Sequence, residues 1–448
     1  MQPTSIGIYK LRLLSIFLIS FFGHVNVFAQ TTTAVPDTNF EQALINMNID
    51  TNGLNGNILN NDAVGVHYLD VSNQYIQDLS GIEAFTNLKK LNCSYNILSS
   101  LNISQNSHLE EINANDNIIN SIDLSQNTKL HKVQINSNQL SSIDVSANFS
   151  LEDLSVSLNN LTVLDVSANS SLEFLGCYAN QIQELDLLNN SQLKYLHVDF
   201  NELEELDVSQ NVNLNTLTCS NNNLNNLAVA QNTELNYLDC RNNNLTSLDI
   251  GINTQLKRLF ISDNNINEID LSNAPELLLF YARFNNLSAL DISNNPDLKW
   301  IKCEGNNLSM VDFRNGNNSH ISEFVMTQNS NLSCIYVDDA EASFLDNWII
   351  DDVSAFVEDE SACEALSVSE ANKFTFQIFP NPATEHVIVS IQTKGATFEL
   401  YSIKGQLIHS QILNFGNNYV PLNNYSTGLY LAKIITESTL ETKKLLLN

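Results

Sequence analysis

Over residues 91–311 the sequence returns to the same letters every 21 residues. Asn stands at Asn96, Asn117, Asn138, Asn159, Asn180, Asn201, Asn222, Asn243, Asn264, Asn285 and Asn306, with no exception to the spacing. A fixed period of this length is the signature of a repeat architecture. The apolar columns keep the same step; in the first unit they are Leu91, Cys93, Leu98, Leu101, Ile103 and Leu109. The burial available to one such unit is smaller than the conformational entropy of ordering it, so a lone repeat cannot fold. Stacked units can, because each turn covers the apolar side of the next and adds a strand to a parallel sheet. A coil this tight turns backbone N–H and C=O groups inward, and an Asn amide supplies both a donor and an acceptor to meet them.

The unit L-x-x-L-x-C-x-x-N-x-L-x-x-L-D-V-S-x-N-x-x resembles the leucine-rich repeat family over more than half the chain. It is most similar to the bacterial 21-residue class, in which an L-D-V-S-x-N half-motif is nested behind the first. The second Asn column comprises Asn106, Asn127, Asn148, Asn169, Asn190, Asn211, Asn232, Asn253 and Asn295, and fails at Ala274 and Gly316. The fold expected from this resemblance is mainly β: a solenoid with a parallel sheet over residues 69–320, opened by a short helical cap over 30–68 and closed by a second cap over 321–365. Residues 69–88 form an atypical first repeat, with Gln74 in the Asn place.

The chain opens with Lys10 and Arg12, an apolar run over 13–22, and Val27-Phe28-Ala29 before Gln30. A basic start, a short apolar core and small residues before a cleavage point mark a secretory signal over 1–29, too short for a membrane span. Its removal deletes two basic and no acidic residues, taking the formal charge from −30 to −32. Such acidity argues against nucleic acid as a partner, since that needs a basic footprint, and favours solubility and attraction of cations. Five cysteines, Cys93, Cys177, Cys219, Cys240 and Cys303, fall in one inward column, where a thiol behaves as a small hydrophobe. Cys334 and Cys363 lie beyond the repeats; an exported protein permits a bridge between them, which spacing alone does not establish.

In the first cap, Thr38 with Glu41 reads as a capping box, and Phe40, Ala43, Leu44 and Met47 share one helical face. The phrase Asn48-Ile49-Asp50-Thr51-Asn52-Gly53 imitates the first half of a calcium loop. Counted from Asn48, the twelfth position is Leu59 where a bidentate Glu is required, so the phrase reads as a polar turn.

The two half-motifs differ outwardly. The second repeats Asp123, Asp144, Asp165, Asp186, Asp207, Asp249, Asp270, Asp291 and Asp312, a uniformity that suits a structural turn in which a carboxylate accepts nearby N–H groups; a ladder of carboxylates binding calcium is the alternative. The outward positions of the first half change from repeat to repeat. Early repeats present Lys90, Glu111, Lys132 and Asp153. Later ones gather Phe174, Tyr178, Tyr195, His197, Asp199, Phe200, Tyr237, Arg241, Arg258, Phe260, Tyr281, Arg283, Phe284 and Trp300. Exposed aromatics interleaved with Arg are what interaction hot spots consist of, and aromatic faces also stack on sugar rings. The alternative is that they are cross-strand pairs stabilising the sheet. These fourteen residues are the candidate ligand-binding set on the concave face. No catalytic motif, phosphate-cradling loop or Cys–His metal spacing is present in the sequence, and one His beside one Asp makes no enzyme without a nucleophile. No cofactor and no metal site is expected, calcium on the carboxylate ladder being the alternative.

After a linker over 366–373, short β runs at 374–379, 386–392, 397–401, 406–412, 418–422, 428–435 and 443–447 fit a small antiparallel β-sandwich. Its punctuation is Phe379-Pro380-Asn381-Pro382-Ala383, Tyr401-Ser402-Ile403-Lys404-Gly405, Gly428-Leu429-Tyr430 and Lys443-Lys444. These phrases at the carboxyl end resemble the sorting domain of the type IX secretion system of Bacteroidetes. That resemblance implies export by the signal, passage across the outer membrane directed by residues 374–448 through the secretion machinery, and release or attachment at the outer cell surface. The expected protein is therefore a secreted or cell-surface leucine-rich repeat binding protein, taking a protein or polysaccharide ligand in recognition or adhesion. The alternative is an acidic structural or adhesive surface component with no discrete ligand.

Overall fold

The computed structural model describes residues 31–371, 376–392, 394–436 and 440–448; the expected signal segment and residues 372–373 of the expected linker lie outside them. The chain divides into two compact units, one ending at Asn160 and the other beginning at Leu161.

In the first unit, Tyr68–Asp70, Lys90–Asn92, Glu111–Asn113, Lys132–Gln134 and Asp153–Ser155 pair in register as a parallel sheet. In the second, Phe174–Gly176, Tyr195–His197, Thr216–Thr218, Tyr237–Asp239, Arg258–Phe260, Leu279–Tyr281, Trp300–Lys302 and Glu323–Val325 do the same. Each strand is three residues long, its middle residue pointing into the core and the two beside it pointing out, as the alternation of a strand requires. The middle column, from Leu69 through Leu196 to Phe324, is buried throughout.

The first Asn column ties each coil to the one before it. Asn117 Oδ1 accepts from the Leu98 N–H at 3.0 Å, while its Nδ2 donates to Cys93 O at 3.1 Å and Ala114 O at 3.2 Å. Asn306 repeats the pattern with the Leu287 N–H, Ala282 O and Cys303 O. The residue ahead of each ladder Asn, from Tyr95 to Phe284, has φ between +49° and +58°, and Gly305 has +70°. This left-handed residue reverses the chain as it leaves the strand and sends the following amide inward. Gln74 does not join: its side chain is exposed, and it is its backbone N–H that meets Asn96 Oδ1. The repeat geometry also outlasts the 21-residue period, because Asn329, 23 residues past Asn306, accepts from the Leu308 N–H and donates to Cys303 O.

The second Asn column is the more deeply buried, at zero exposure from Asn106 to Asn295. Asn211 Nδ2 donates to Leu187 O at 3.1 Å and Asn190 O at 2.9 Å. Between the columns the Asp residues form the turns expected of them, Asp123, Asp144, Asp207 and Asp270 each accepting the N–H two residues ahead. These hydrogen bonds to neighbouring Ser hydroxyls and backbone hold the carboxyls below their ordinary range. From Ala289–Asp291 onward this half-motif becomes a strand too, pairing in a second parallel sheet with Met310–Asp312, Cys334–Tyr336 and Ala355–Val357.

Phe313, Phe324 and Trp348 close the array with an aromatic cluster, the Phe324 and Trp348 rings stacked at 4.0 Å. A disulfide joins Cys334 to Cys363, with Cα atoms 5.9 Å apart. Where the sequence marks a linker, the backbone is helical over Glu360–Ala371.

At the other end the helix Thr38–Asn46 is capped one residue earlier than the capping-box reading places it. Asp37 Oδ1 accepts from the Asn39 and Phe40 N–H groups, and Asp37 Oδ2 accepts from Gln77 and Asp78 of the first repeat. Glu41 turns away from the helix start, because its Oε1 takes the N–H groups of Asn55, Gly56 and Asn57.

The carboxyl-terminal residues form two antiparallel sheets. One orders Gln377–Phe379, His386–Ile391 and Gly416–Pro421; the other orders Leu407–Leu413, Ala396–Ser402, Gly428–Ile435 and Leu440–Leu447. Val387, Val389, Phe398, Leu400, Ile434 and Leu445 are among the core residues of this domain. The Pro-Asn-Pro turn is fastened to the last strand through Asn381, whose Nδ2 donates to Lys444 O at 2.8 Å and whose Oδ1 accepts from the Leu446 N–H at 2.9 Å.

Removing either kind of ladder amide strands buried backbone groups at a cost of about 1–3 kcal/mol. Asn201→Ala and Asn211→Ala are therefore expected to lower the unfolding free energy by that amount, whereas Asn226→Ala, on an exposed residue, leaves it unchanged. Equal denaturation midpoints for all three would refute the assignment of the two ladders.

Candidate binding surface

The same outward columns carry different chemistry in the two units. In the first, beside the single exposed rings of Tyr68 and Tyr95, they hold charges of alternating sign: Lys90 meets Glu111 at 2.7 Å and Lys132 meets Asp153 at 2.7 Å across neighbouring strands. Exposed pairs of this kind contribute little to stability but satisfy the sheet surface with its own partners.

In the second unit the candidate residues gather into groups. Phe174 lies 6.4 Å from Tyr195 and 5.4 Å from His197, centroid to centroid. His197 Nδ1 is 2.9 Å from Thr218 Oγ1, Thr218 donates to Asp199, and Asp199 Oδ1 also accepts the Ser220 N–H and hydroxyl. Thr218, absent from the candidate set, is thus the link between His197 and Asp199. It sits between an imidazole and a carboxylate that both engage its hydroxyl, which makes a positioning chain rather than an activated nucleophile. Burial lowers the His197 pKa, and the Asp199 charge opposes that shift.

The next group is a stack. Tyr237 and Phe260 are 5.4 Å apart, Phe260 and Tyr281 meet edge-to-face at 5.5 Å, Arg241 lies 5.0 Å over the Phe260 ring, and Lys302 lies 5.1 Å over Tyr281. Each cation is also held by a carboxylate: Arg241 forks onto Asp239 through Nε at 2.9 Å and Nη2 at 2.6 Å, and Lys302 reaches Glu323 at 2.8 Å. Tyr281 also donates to Glu323, at 3.1 Å. Burial and that neighbouring carboxylate push its phenol up to about 12. Arg258 projects outward on the strand between Tyr237 and Tyr281 and is exposed.

Arg283 lies 5.3 Å over the Phe284 ring and beside Glu304, close in distance but not aligned for a hydrogen bond, since Arg283 Nε has no such partner. Phe284 occupies the left-handed position, and its ring fills the space over Gly305, where a Cβ would come within 2.4 Å of Phe284 Cδ1. Gly305 therefore serves the ring as well as the turn.

Tyr178, Tyr195, Phe200, Phe284 and Trp300 remain exposed, Phe200 at 57%. Phe200 and Phe284 hold the left-handed conformation, which an L-residue with a side chain adopts at a cost of about 1–2 kcal/mol. The five cysteines of the inward column are buried away from solvent, and burial pushes the Cys93 and Cys177 thiols up to about 12. Among the described residues no three His, Cys, Asp or Glu side chains group as a metal site, and no helix is long and apolar enough to cross a membrane.

Residues 377–448 match the family described as the secretion system C-terminal sorting domain. No curated protein matches the sequence. Among solved structures, the chain is similar to the functional domain of InlJ from Listeria monocytogenes, described as including a cysteine ladder: 24% identity over 93% of this chain and 99% of that one, with a TM-score of 0.61. The internalin InlF of the same organism gives 20% identity over 70% and 100% of the two chains, at 0.54. YopM, an effector protein from Yersinia pestis, gives 20% over 65% and 83%, at 0.50. These likenesses establish the fold.

A His whose folded pKa is depressed contributes stability present above its unfolded pKa, about 6.5, and lost as pH falls through the folded value. His197 is expected to titrate below that ordinary value in NMR spectra of its ring, and Asp199→Asn to lower the midpoint further by removing the opposing charge. A midpoint raised by Asp199→Asn would contradict the arrangement.

Proposed function

We propose that this leucine-rich repeat protein, placed outside the cell by its type IX sorting domain, is a binding protein whose aromatic sheet face in the second unit takes a protein partner. The secreted or surface location follows from the sorting domain at residues 377–448. The signal segment over 1–29 supplies the first export step in this reading, with cleavage after Ala29.

The observation that carries the binding assignment is the change along one structural column. Early repeats pair Lys90 with Glu111 and Lys132 with Asp153 and expose single rings, Tyr68 and Tyr95, with no ring or cation packed against them among the contacts described. Later ones place Tyr195, Phe200, Phe284 and Trp300 in solvent and hold Arg241 and Lys302 over aromatic rings. Two of the exposed rings sit in a backbone conformation that costs stability, so sheet stabilisation alone is a poor reason to have them. A protein partner is favoured over a sugar because the carboxylate-anchored cations Arg241, Arg283 and Lys302 lie among the rings. Aromatic anchors with Arg beside them and acidic residues around them suit a protein hot spot. The acidity of the chain gives such a partner a basic rim and a salt-dependent association rate. Neither a nucleophile nor a general base poised beside one is needed for this role.

The test is a binding screen against surface proteins and glycans. A ligand found for the parent is expected to lose at least tenfold in affinity in the variant carrying Tyr237→Ala, Phe260→Ala, Tyr281→Ala and Arg283→Ala, with the melting transition of the repeats retained. Unchanged binding by the folded variant would refute the assignment. Binding by sugars alone would make the ligand a polysaccharide, and cation-dependent self-association without any ligand would favour the structural role.

A further inference from the structure

In the cap that precedes the first repeat, the loop of the Asn48–Gly53 phrase begins later than a count from Asn48 places it. Asn48 belongs to the end of the first helix, at φ +56°, so the loop begins at Asp50. From there the chain runs through Asn52, two left-handed glycines at Gly53 and Gly56, and the short strand Asn57–Leu59, which pairs with Thr32–Ala34. It enters the helix Asn60–Ala63 with Asp62 in its first turn. Counted from Asp50, an acid closes the loop at the thirteenth residue, one later than in the twelve-residue calcium loop, and a side-chain oxygen stands at the third position as that loop requires.

Two buried side-chain oxygens of this loop have no hydrogen-bond partner. Asp50 is 5% exposed; its Oδ1 accepts the Asn52 N–H at 3.0 Å, but its Oδ2 is buried with no hydrogen-bond partner. Asn52 Oδ1 is likewise buried and unpartnered, while its Nδ2 donates to Asn57 Oδ1 at 3.0 Å. Asp62 reaches across the loop, its Oδ2 accepting from the Thr51 N–H and hydroxyl at 3.0 and 2.7 Å. Glu41 braces the far side through the N–H groups of Asn55, Gly56 and Asn57. Glu41 and Asp62 both lie close enough to Asp50 for their charges to act on it. No Lys, Arg or His hydrogen-bonds or ion-pairs with any of these three carboxylates among the bonds described. A buried carboxylate beside two others, without a counter-charge, is costly unless it is neutralised or coordinates a metal.

We propose that this loop is a calcium site, with Asp50 Oδ2 and Asn52 Oδ1 as side-chain ligands, Asp62 as the second carboxylate and backbone or water oxygens completing the shell. The chemistry is that of a hard cation taking six to eight oxygens at flexible geometry. Two of these ligands are carboxylates and the rest neutral oxygens, a set other than the groupings of three acidic, His or Cys side chains that are absent among the described residues. The site would fasten the loop between the cap strand and the cap helix, and so set the stability of the end where the first repeat is covered. Extracellular calcium modules bind with dissociation constants of roughly 0.1–1 mM, the range expected of a site with two carboxylates.

The test uses the full chain stripped with chelator and titrated with calcium, reading the thermal transition and calorimetric binding, with magnesium as the control. Calcium is expected to raise the transition of the parent by several degrees, with magnesium far less effective. Asp50→Asn preserves the Oδ1 contact to Asn52 and is expected to abolish the rise, while melting in chelator at or above the parent because the repelled carboxylate is gone. Asn52→Ala, on a half-buried residue, is expected to shift the calcium midpoint upward at least tenfold. The proposal is overturned if calcium leaves the parent unmoved, or if both variants keep the parent's response, which would assign the effect to the acidic surface as a whole.

Discussion

Every coil of this protein faces the same problem: a backbone turned through a full circuit in 21 residues leaves N–H and C=O groups pointing inward, away from water. Two Asn ladders solve it in different ways. The first uses both ends of the amide, taking an N–H from the preceding coil and giving to carbonyls of that coil and its own. The second uses chiefly its donor, bridging carbonyls 21 and 24 residues earlier, and leaves Oδ1 of Asn106, Asn127, Asn190 and Asn211 without a hydrogen bond. Donation is thus the indispensable part at that position, which explains why Asn is retained there despite an unused acceptor. The apolar columns and the cysteines fill the space that the ladders enclose.

Because those inward columns fix the fold, the outward ones are free to vary, and the variation has a direction along the chain. Charges pair with charges in the first unit; rings, cations and carboxylates pack together in the second. The left-handed residue before each ladder Asn is required by the turn, yet it is occupied by Phe at two places and by Gly at Gly305, where Phe284 occupies the space of the missing side chain. Backbone geometry and surface chemistry meet at that one position of the repeat, and the partner surface proposed for this protein is built around it.

The ends obey a different rule from the middle. A solenoid exposes its core wherever it stops, so each terminus spends residues on closure. Phe313, Phe324 and Trp348 with the Cys334–Cys363 bridge cover one end, and the helix Thr38–Asn46 with Asp37 tied to Gln77 and Asp78 covers the other. The sorting domain shares none of this logic. Its two small antiparallel sheets have a core of their own, and its Asn381 and Lys444 phrases fasten the turn to the last strand.

The sequence by itself determined the solenoid, its parallel sheet, the sorting domain and the split between constant and variable columns, because a strict period forces every unit into one conformation and one decoded unit decodes them all. Where the period broke, sequence reasoning lost its footing. Asn329 continues the ladder at a spacing of 23 rather than 21, and Gln74 sits at the right letter with its side chain outside. Glu41 accepts from loop residues 14 to 16 positions ahead and Asp50 from one two positions ahead, which no periodicity aligns. Only the tertiary structure decided that Thr218 links His197 to Asp199, that cations lie over the rings of the sheet face, and that Asp50 Oδ2 and Asn52 Oδ1 are buried without partners. Those are contacts across coils, and their distances depend on how the side chains pack rather than on where they fall in the repeat.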